Sequence, residues 1–247
     1  MQVKHLLLIS ILFLGGCVTV EDGPSQQQKA SKINVQLGIG YYHQNNLELA
    51  DEKLRKALDQ DPQSSQAHHA FAVLQNRFLN REKSEFHFRK AVELDGQNSE
   101  ALNNFGAFLC QDERYEEAES MFVKAVDNPL YKTPEVAYTN AALCLRKGQL
   151  KPLTAKGYLL KALTIGRNYG PALLELAEIG LEENQTERTL HYVKRFHLAS
   201  KPTARSVWLK LQAEYAEGNT KSVHELGAIL QRDFPESKEY KLWLELK

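Results

Sequence analysis

The chain has 247 residues, of which 43% are hydrophobic and 25% charged, and its formal net charge is zero because Lys+Arg and Asp+Glu both number 31. This composition is ordinary for a folded domain. The absence of a net positive charge argues against general nucleic-acid binding, which needs a basic surface that displaces counterions. Nothing after residue 16 approaches the roughly 18–20 consecutive apolar residues of a membrane-spanning helix.

Residues 1–16 have the organisation of a secretory signal peptide, with a short charged start and an apolar run, Leu6–Leu14, that is too short to span a bilayer. The run ends at Leu14-Gly15-Gly16-Cys17, which resembles a bacterial lipobox. That resemblance implies a lipoprotein signal peptide over 1–16 and acyl chains on Cys17. By the sorting rule of lipoproteins, Val18 after the cysteine implies the outer membrane. The alternative is an ordinary signal peptide with a chance cysteine.

The segment that follows has no apolar period and contains Gly23-Pro24-Ser25 and three glutamines. We predict that residues 17–30 form a flexible tether between the lipidated cysteine and the fold. The folded domain is then predicted over residues 31–247.

From residue 31 onward the chain repeats itself about every 34 residues. Small residues recur where two helices cross closely, and large apolar residues recur one helical turn away. The matching positions are Leu37, Gly38, Ala50, Leu54 and Ala57, then Phe71, Ala72, Ser84, Phe88 and Ala91, then Phe105, Gly106, Ala118, Phe122 and Ala125. This is the tetratricopeptide (TPR) pattern of helix, turn and helix. We therefore predict an all-α, right-handed TPR superhelix, whose repeats bury their apolar faces by stacking and leave a concave groove.

Six repeats fit the chain, and a C-terminal capping helix follows them. Pro62 ends the second helix of the first repeat, and Pro152 begins the second helix of the fourth. Trp243 is predicted to cap the exposed end of the stack. The predicted repeats are 31–64, 65–98, 99–134, 135–169, 170–203 and 204–238, and the fifth and sixth are degenerate.

Catalytic and metal-binding patterns are weak throughout. His224-Glu225 begins like a zinc-protease helix, but Ala228 stands where the second histidine is needed. His68 and His69 are adjacent, so on a helix their side chains diverge by about 100° and share a metal poorly. We predict no active site, no metal, no cofactor and no small-molecule substrate.

The concave surface of a TPR is lined by the first helix of each repeat, at roughly its positions 2, 5, 9, 12 and 13. Four apolar residues within this set form a patch that is typical of a protein-binding site, unless the tether or terminal packing covers it. Val35 and Ile39 stand where a carboxylate clamp needs polar side chains, so we expect an amphipathic or extended apolar ligand segment. The predicted groove residues are Val35, Ile39, Tyr42 and His43, then His69, Val73, Asn76 and Arg77, then Asn103, with Ala107 and Gln111 beside it.

Two cysteines remain besides Cys17, and they lie one repeat length apart at Cys110 and Cys144. Equivalent or near-equivalent positions on the first helices of successive repeats lie side by side, so a disulfide is possible in an oxidising periplasm. Spacing alone leaves open the alternative of two buried thiols that are too far apart to bond.

Three stretches carry more than generic TPR residues. They are 103–110 (Asn-Asn-Phe-Gly-Ala-Phe-Leu-Cys), 128–134 (Asn-Pro-Leu-Tyr-Lys-Thr-Pro) and 140–144 (Asn-Ala-Ala-Leu-Cys). They resemble the type IV pilus biogenesis lipoproteins of the PilF/PilW family, known as pilotins. The likeness extends over nearly the whole chain and is most specific between about 99 and 165; Ala107 and Ala142 depart from the family in a minor way.

This resemblance implies a monomeric lipoprotein on the inner leaflet of the outer membrane, with its TPR domain in the periplasm. It implies a Cys110–Cys144 disulfide, because the two cysteines recur together in the family. The implied role is to bind subunits of the outer-membrane secretin, to localise them and to promote their multimerisation, with no nucleic-acid partner. The alternatives are a TPR lipoprotein scaffold for cell-wall hydrolases or β-barrel assembly and, with far less support, an enzyme.

Overall fold

Thirteen α-helices and no strand make up residues 24–246, the part of the chain that the computed structural model describes. The helices are α1 (Gln26–His43), α2 (Leu47–Gln60), α3 (Ser65–Arg77), α4 (Arg81–Leu94), α5 (Ser99–Gln111), α6 (Tyr115–Asp127), α7 (Pro134–Lys147), α8 (Pro152–Ile165), α9 (Gly170–Glu182), α10 (Thr186–Ala199), α11 (Ala204–Ala216), α12 (Thr220–Asp233) and α13 (Lys238–Leu246). The first twelve pair into six hairpins, and α13 follows as the end helix. The predicted all-α TPR fold is confirmed.

The predicted signal peptide, Cys17 and the first part of the tether lie outside the described residues. The tether prediction is wrong for residues 26–30, because α1 begins at Gln26. A capping box starts this helix: the Ser25 hydroxyl accepts from the Gln28 amide at 3.2 Å, and the Ser25 amide donates to Gln28 Oε1 at 2.8 Å. These two bonds satisfy backbone groups that a helix start otherwise leaves unpaired. The local signal therefore extends the first helix by more than a turn.

Each of the first three hairpins turns at the same repeat position, with a residue in the left-handed backbone region. These residues are Asn45, Leu79 and Glu113, with φ values of 58°, 60° and 62°. In the first two hairpins the next residue, Asn46 or Asn80, caps the following helix with its side-chain oxygen. The turn reverses the chain so that the second helix packs antiparallel against the first.

In repeats one and three, close helix crossing depends on a missing side chain at the eighth position of the repeat. A Cβ added to Gly38 would lie 2.6 Å from Leu54 Cγ, and one added to Gly106 would lie 2.8 Å from the Phe122 ring. Both distances are far below van der Waals contact. The small residues of the sequence period therefore mark the points where two helices touch.

The core runs along the stack as a series of clusters between neighbouring hairpins. Phe88 of the second hairpin stacks on Phe105 of the third, with ring centroids 5.6 Å apart. At the C-terminal end Trp243 is 4% exposed and packs with Val223 and Leu230, so α13 covers the last hairpin. None of the described helices is long and apolar enough to cross a membrane.

A disulfide joins α5 to α7 in the middle of the stack. Cys110 and Cys144 are bonded, and their Cα atoms are 5.7 Å apart. The alternative of two separated thiols therefore does not hold in this structure. The bond links the first helices of the third and fourth repeats, and the two cysteines are 34 residues apart in the sequence.

Candidate peptide-binding groove

An apolar pocket lies where the first helices of repeats one, two and three come together. Its volume is about 230 Å³, and no Asp, Glu, Lys or Arg is among the residues that line it. Its rim is partly solvated, since Ile39 is 41% exposed, whereas Leu54 at 1% exposure belongs to the buried core beneath it. The lining residues are Ile39, Tyr42, His43, Leu54, His69, Ala70, Val73 and Asn104.

Five of the predicted groove residues meet in this pocket, namely Ile39, Tyr42, His43, His69 and Val73. They come from two helices, α1 and α3, which lie side by side in the stack. Apolar surface that is left open to solvent in this way often marks a protein-binding site. The pocket can accept an apolar side chain, and His43 and Tyr42 contribute polar side-chain groups to its lining.

His69 is a polar side chain that lines the pocket. The Asn104 side-chain amide donates to His69 Nε2 at 2.8 Å, which requires that nitrogen to be unprotonated. Burial lowers the pKa of His69 to about 4, because the charged imidazolium is poorly solvated there. His69 is therefore neutral at pH 7.

The groove prediction is wrong for Val35 and Asn103. Val35 is 4% exposed and packs in the core cluster with Ala70 and Leu74 of α3. Asn103 is 8% exposed, and its Oδ1 accepts from the Asn140 side chain of α7 at 3.0 Å.

A single geometric reason explains both errors. Val35, His69 and Asn103 are the same position in three successive repeats, and each faces the first helix of the next repeat. That position lies in the seam between successive first helices instead of on the open concave face. Ala107, beside Asn103 in the prediction, is also packed against the core.

Sequence reasoning missed Asn104 and Ala70, which do line the pocket. They stand one residue after the seam position in repeats three and two, so they too are equivalent positions of neighbouring repeats. The repeat period was therefore a sufficient signal for finding them, once the seam position had been recognised.

Two other predicted groove residues, Asn76 and Gln111, accept hydrogen bonds from Arg81 at the junction of repeats two and three. The Arg81 guanidinium donates to Asn76 Oδ1 at 2.6 Å and to Gln111 Oε1 at 3.2 Å, pairs with Asp112, and lies 4.0 Å from the Phe108 ring centroid. It thereby holds repeat two to repeat three. Arg77 is exposed on the same helix as Asn76.

The C-terminal half of the groove is charged where the N-terminal half is apolar. Glu175 is 6% exposed and lies between two cations, 2.6 Å from Arg205 Nη2 and 3.4 Å from Arg146 Nε. Arg146 also pairs with Glu182, and Arg205 with Glu178. These groups satisfy one another, so the apolar pocket of repeats one to three is the better candidate for an apolar ligand. No cluster of three or more metal-ligating side chains occurs within residues 24–246.

Stacked helical hairpins with an apolar concave pocket define a TPR protein, a class that binds other proteins through its curved surface. A family model described as a tetratricopeptide repeat matches residues 87–120. A solved TPR protein described as having an unusual peptide-binding site, YrrB, superposes with a TM-score of 0.60 at 19% identity, covering 78% of this chain and 97% of that one, and shows the shared fold alone.

Closer relatives are pilus proteins. The chain is 32% identical over 240 residues to the type IV pilus assembly protein PilF of Pseudomonas aeruginosa, covering 95% of each chain. The solved PilF structure superposes with a TM-score of 0.81 at 31% identity and covers 90% of this chain and 100% of that one. PilW, described as a widely conserved type IV pilus biogenesis factor, gives 0.77 at 29% identity over 87% and 98%. The chain belongs to the PilF family of type IV pilus assembly proteins.

Proposed function

We propose that this protein is a pilotin, a lipoprotein that carries secretin subunits of a type IV pilus to the outer membrane and promotes their multimerisation there. The observation that carries the proposal is the apolar, partly open pocket in a chain that belongs to the PilF family. In this mechanism acyl chains on Cys17 hold the protein on the inner leaflet of the outer membrane, and the TPR domain lies in the periplasm. No covalent chemistry is needed.

The pocket supplies the binding step. An apolar side chain of a secretin segment replaces water against Ile39 and Val73, and the neutral His69 imposes no charge requirement. Confinement of bound subunits to the membrane surface raises their effective concentration, which favours ring assembly without new contacts between subunits.

The groove is tested by Ile39→Asp, because a carboxylate in the pocket loses its hydration when an apolar ligand covers it. An unpaired buried polar group costs about 1–3 kcal/mol, so we expect secretin binding to weaken by roughly 5-fold to 150-fold. Leu160→Asp is the matched control: Leu160 is 44% exposed against 41% for Ile39, and it lies on α8, a second helix away from the pocket. Binding to the periplasmic part of the secretin is measured by calorimetry, and circular dichroism checks that both variants fold.

Equal affinity of the two variants would show that the pocket is not the secretin site. The anchor is tested separately by Cys17→Ser, which we expect to leave the fold intact and to mislocalise the secretin. Full-length secretin multimers at normal levels in the outer membrane of that mutant would contradict the anchoring role. Recovery of cell-wall hydrolases or barrel-assembly proteins instead of secretin would favour the scaffold alternative.

A further inference from the structure

The N-terminal end of the stack is an apolar face that no repeat covers among the described residues. Ile33 is 57% exposed and Leu37 is 44% exposed on α1. Their equivalents in the second repeat, Ala67 and Phe71, are 0% and 3% exposed. The contrast arises because the preceding hairpin covers that face in the second repeat, whereas no hairpin precedes the first within the described chain.

The same position in the other internal repeats supports this reading. Ala101 and Phe105 of repeat three are 0% and 3% exposed, and Ala172 and Leu176 of repeat five are 0% and 1% exposed. An uncovered end is unusual, since terminal repeats of a solenoid need a polar outer face for solubility. At the other end α13 covers the last hairpin.

The charge on α1 is suited to an anionic surface. The helix contains Lys29 and Lys32 and no acidic residue, although the whole chain carries equal numbers of positive and negative side chains. Both lysines are exposed. Lys29 stands one helical turn before Ile33, which places a cation beside the apolar face. Lysines flanking apolar side chains are typical of helices that lie on a lipid surface.

The length of chain before α1 keeps this face near the proposed anchor. Cys17 is eight residues from Ser25, the N-cap, so the segment reaches at most about 28 Å when fully extended. With 18 residues, α1 is about 27 Å long. An acylated Cys17 therefore confines the start of α1 to a shell above the membrane that is about as thick as the helix is long.

We propose that this end face, made by Lys29, Ile33 and Leu37, rests on the lipid surface that holds Cys17. The C-terminal end of the stack then points away from the membrane. The proposal rests on the lipid anchor of the proposed function. Two apolar side chains are far too few for a free-standing protein interface, which takes about 800 Å² from each partner. They suffice for a surface to which the chain is already tethered, because the tether supplies the high effective concentration.

The test uses the mature acylated protein in vesicles of phosphatidylethanolamine and phosphatidylglycerol, with brominated acyl chains as the quencher. Leu37→Trp places a fluorophore on the end face. Leu244→Trp is the matched control, because Leu244 is 50% exposed on α13 at the opposite end. Native Trp208 and Trp243 are common to both proteins. We expect brominated lipid to quench Leu37→Trp at least twofold more than Leu244→Trp, and Ile33→Glu to abolish the difference.

Equal quenching of the two variants would overturn the proposal. So would a blue-shifted Leu37→Trp emission in the unanchored Cys17→Ser protein without lipid, since residues 17–24 or a second copy would then cover the face. Secretin binding is measured on the same proteins. Lost lipid contact with intact secretin binding refutes this inference alone, and intact lipid contact without secretin binding refutes the proposed function alone.

Discussion

Removal of the Cys110–Cys144 disulfide is expected to cost this protein a large share of its stability. The bond closes a loop of 34 residues. In the chain-entropy model a loop of that length restricts the unfolded chain by about 4 kcal/mol at 25 °C. Folded domains are stable by only about 5–15 kcal/mol, so the double variant Cys110→Ala/Cys144→Ala should be marginal but still folded.

The position of the bond adds a local effect to the global one. It joins α5 to α7, the first helices of the two middle repeats. In a solenoid each repeat contacts only its neighbours, so loss of a middle link permits the stack to open between repeats three and four. Cys144 is 2% exposed, and its replacement by Ala also removes a packed sulfur.

Urea unfolding followed by circular dichroism measures the global term. We expect the free energy of unfolding of the double variant to fall by about 4 kcal/mol and its m-value to rise, because an unfolded chain without the crosslink exposes more surface. Hydrogen exchange should accelerate first in α5 and α7. A loss below about 1 kcal/mol, or exchange that accelerates equally in α11 and α12, would refute this reasoning.

Three other contacts of the described chain carry predictions of their own. His68 Nδ1 and His87 Nδ1 are 2.8 Å apart, and burial lowers the pKa of both, that of His87 from 6.5 to about 4. The unfolded state then binds more protons as the pH falls, so the contribution of this pair to the unfolding free energy should be complete well above pH 6.5 and be lost towards pH 4. The loss should be less steep in His87→Phe, and identical pH profiles would contradict this. Glu175→Gln should lower the unfolding free energy by about 1–3 kcal/mol, because it leaves two arginines poorly paired, and an unchanged urea midpoint would show the carboxylate to be dispensable. Gly227→Ala should cost about 1–3 kcal/mol and shift tryptophan emission to the red, since the added Cβ would lie 2.3 Å from Trp243 Cε2; unaltered emission would mean that the cap adapts.

Much of the fold followed from sequence patterns that need no tertiary information. The repeat period determined helix pairs and their stacking, because small residues such as Gly38 and Gly106 are needed wherever two helices cross closely. The period also placed both disulfide cysteines on neighbouring first helices. One local signal was available and misread: Ser25 and Gln28 form a capping box, so α1 starts earlier than the tether prediction allowed.

Which side of each first helix remains open was decided only by the tertiary structure. A sequence period identifies equivalent positions, but it does not report the rotation of one helix against the next. That rotation buried Val35 and Asn103 in the seam and brought Asn104 into the pocket. The exposure of Ile33 likewise depends on what precedes its hairpin in space, although its repeat equivalents are buried. A side chain is buried only when neighbouring helices pack against it, and that packing is decided by the tertiary structure.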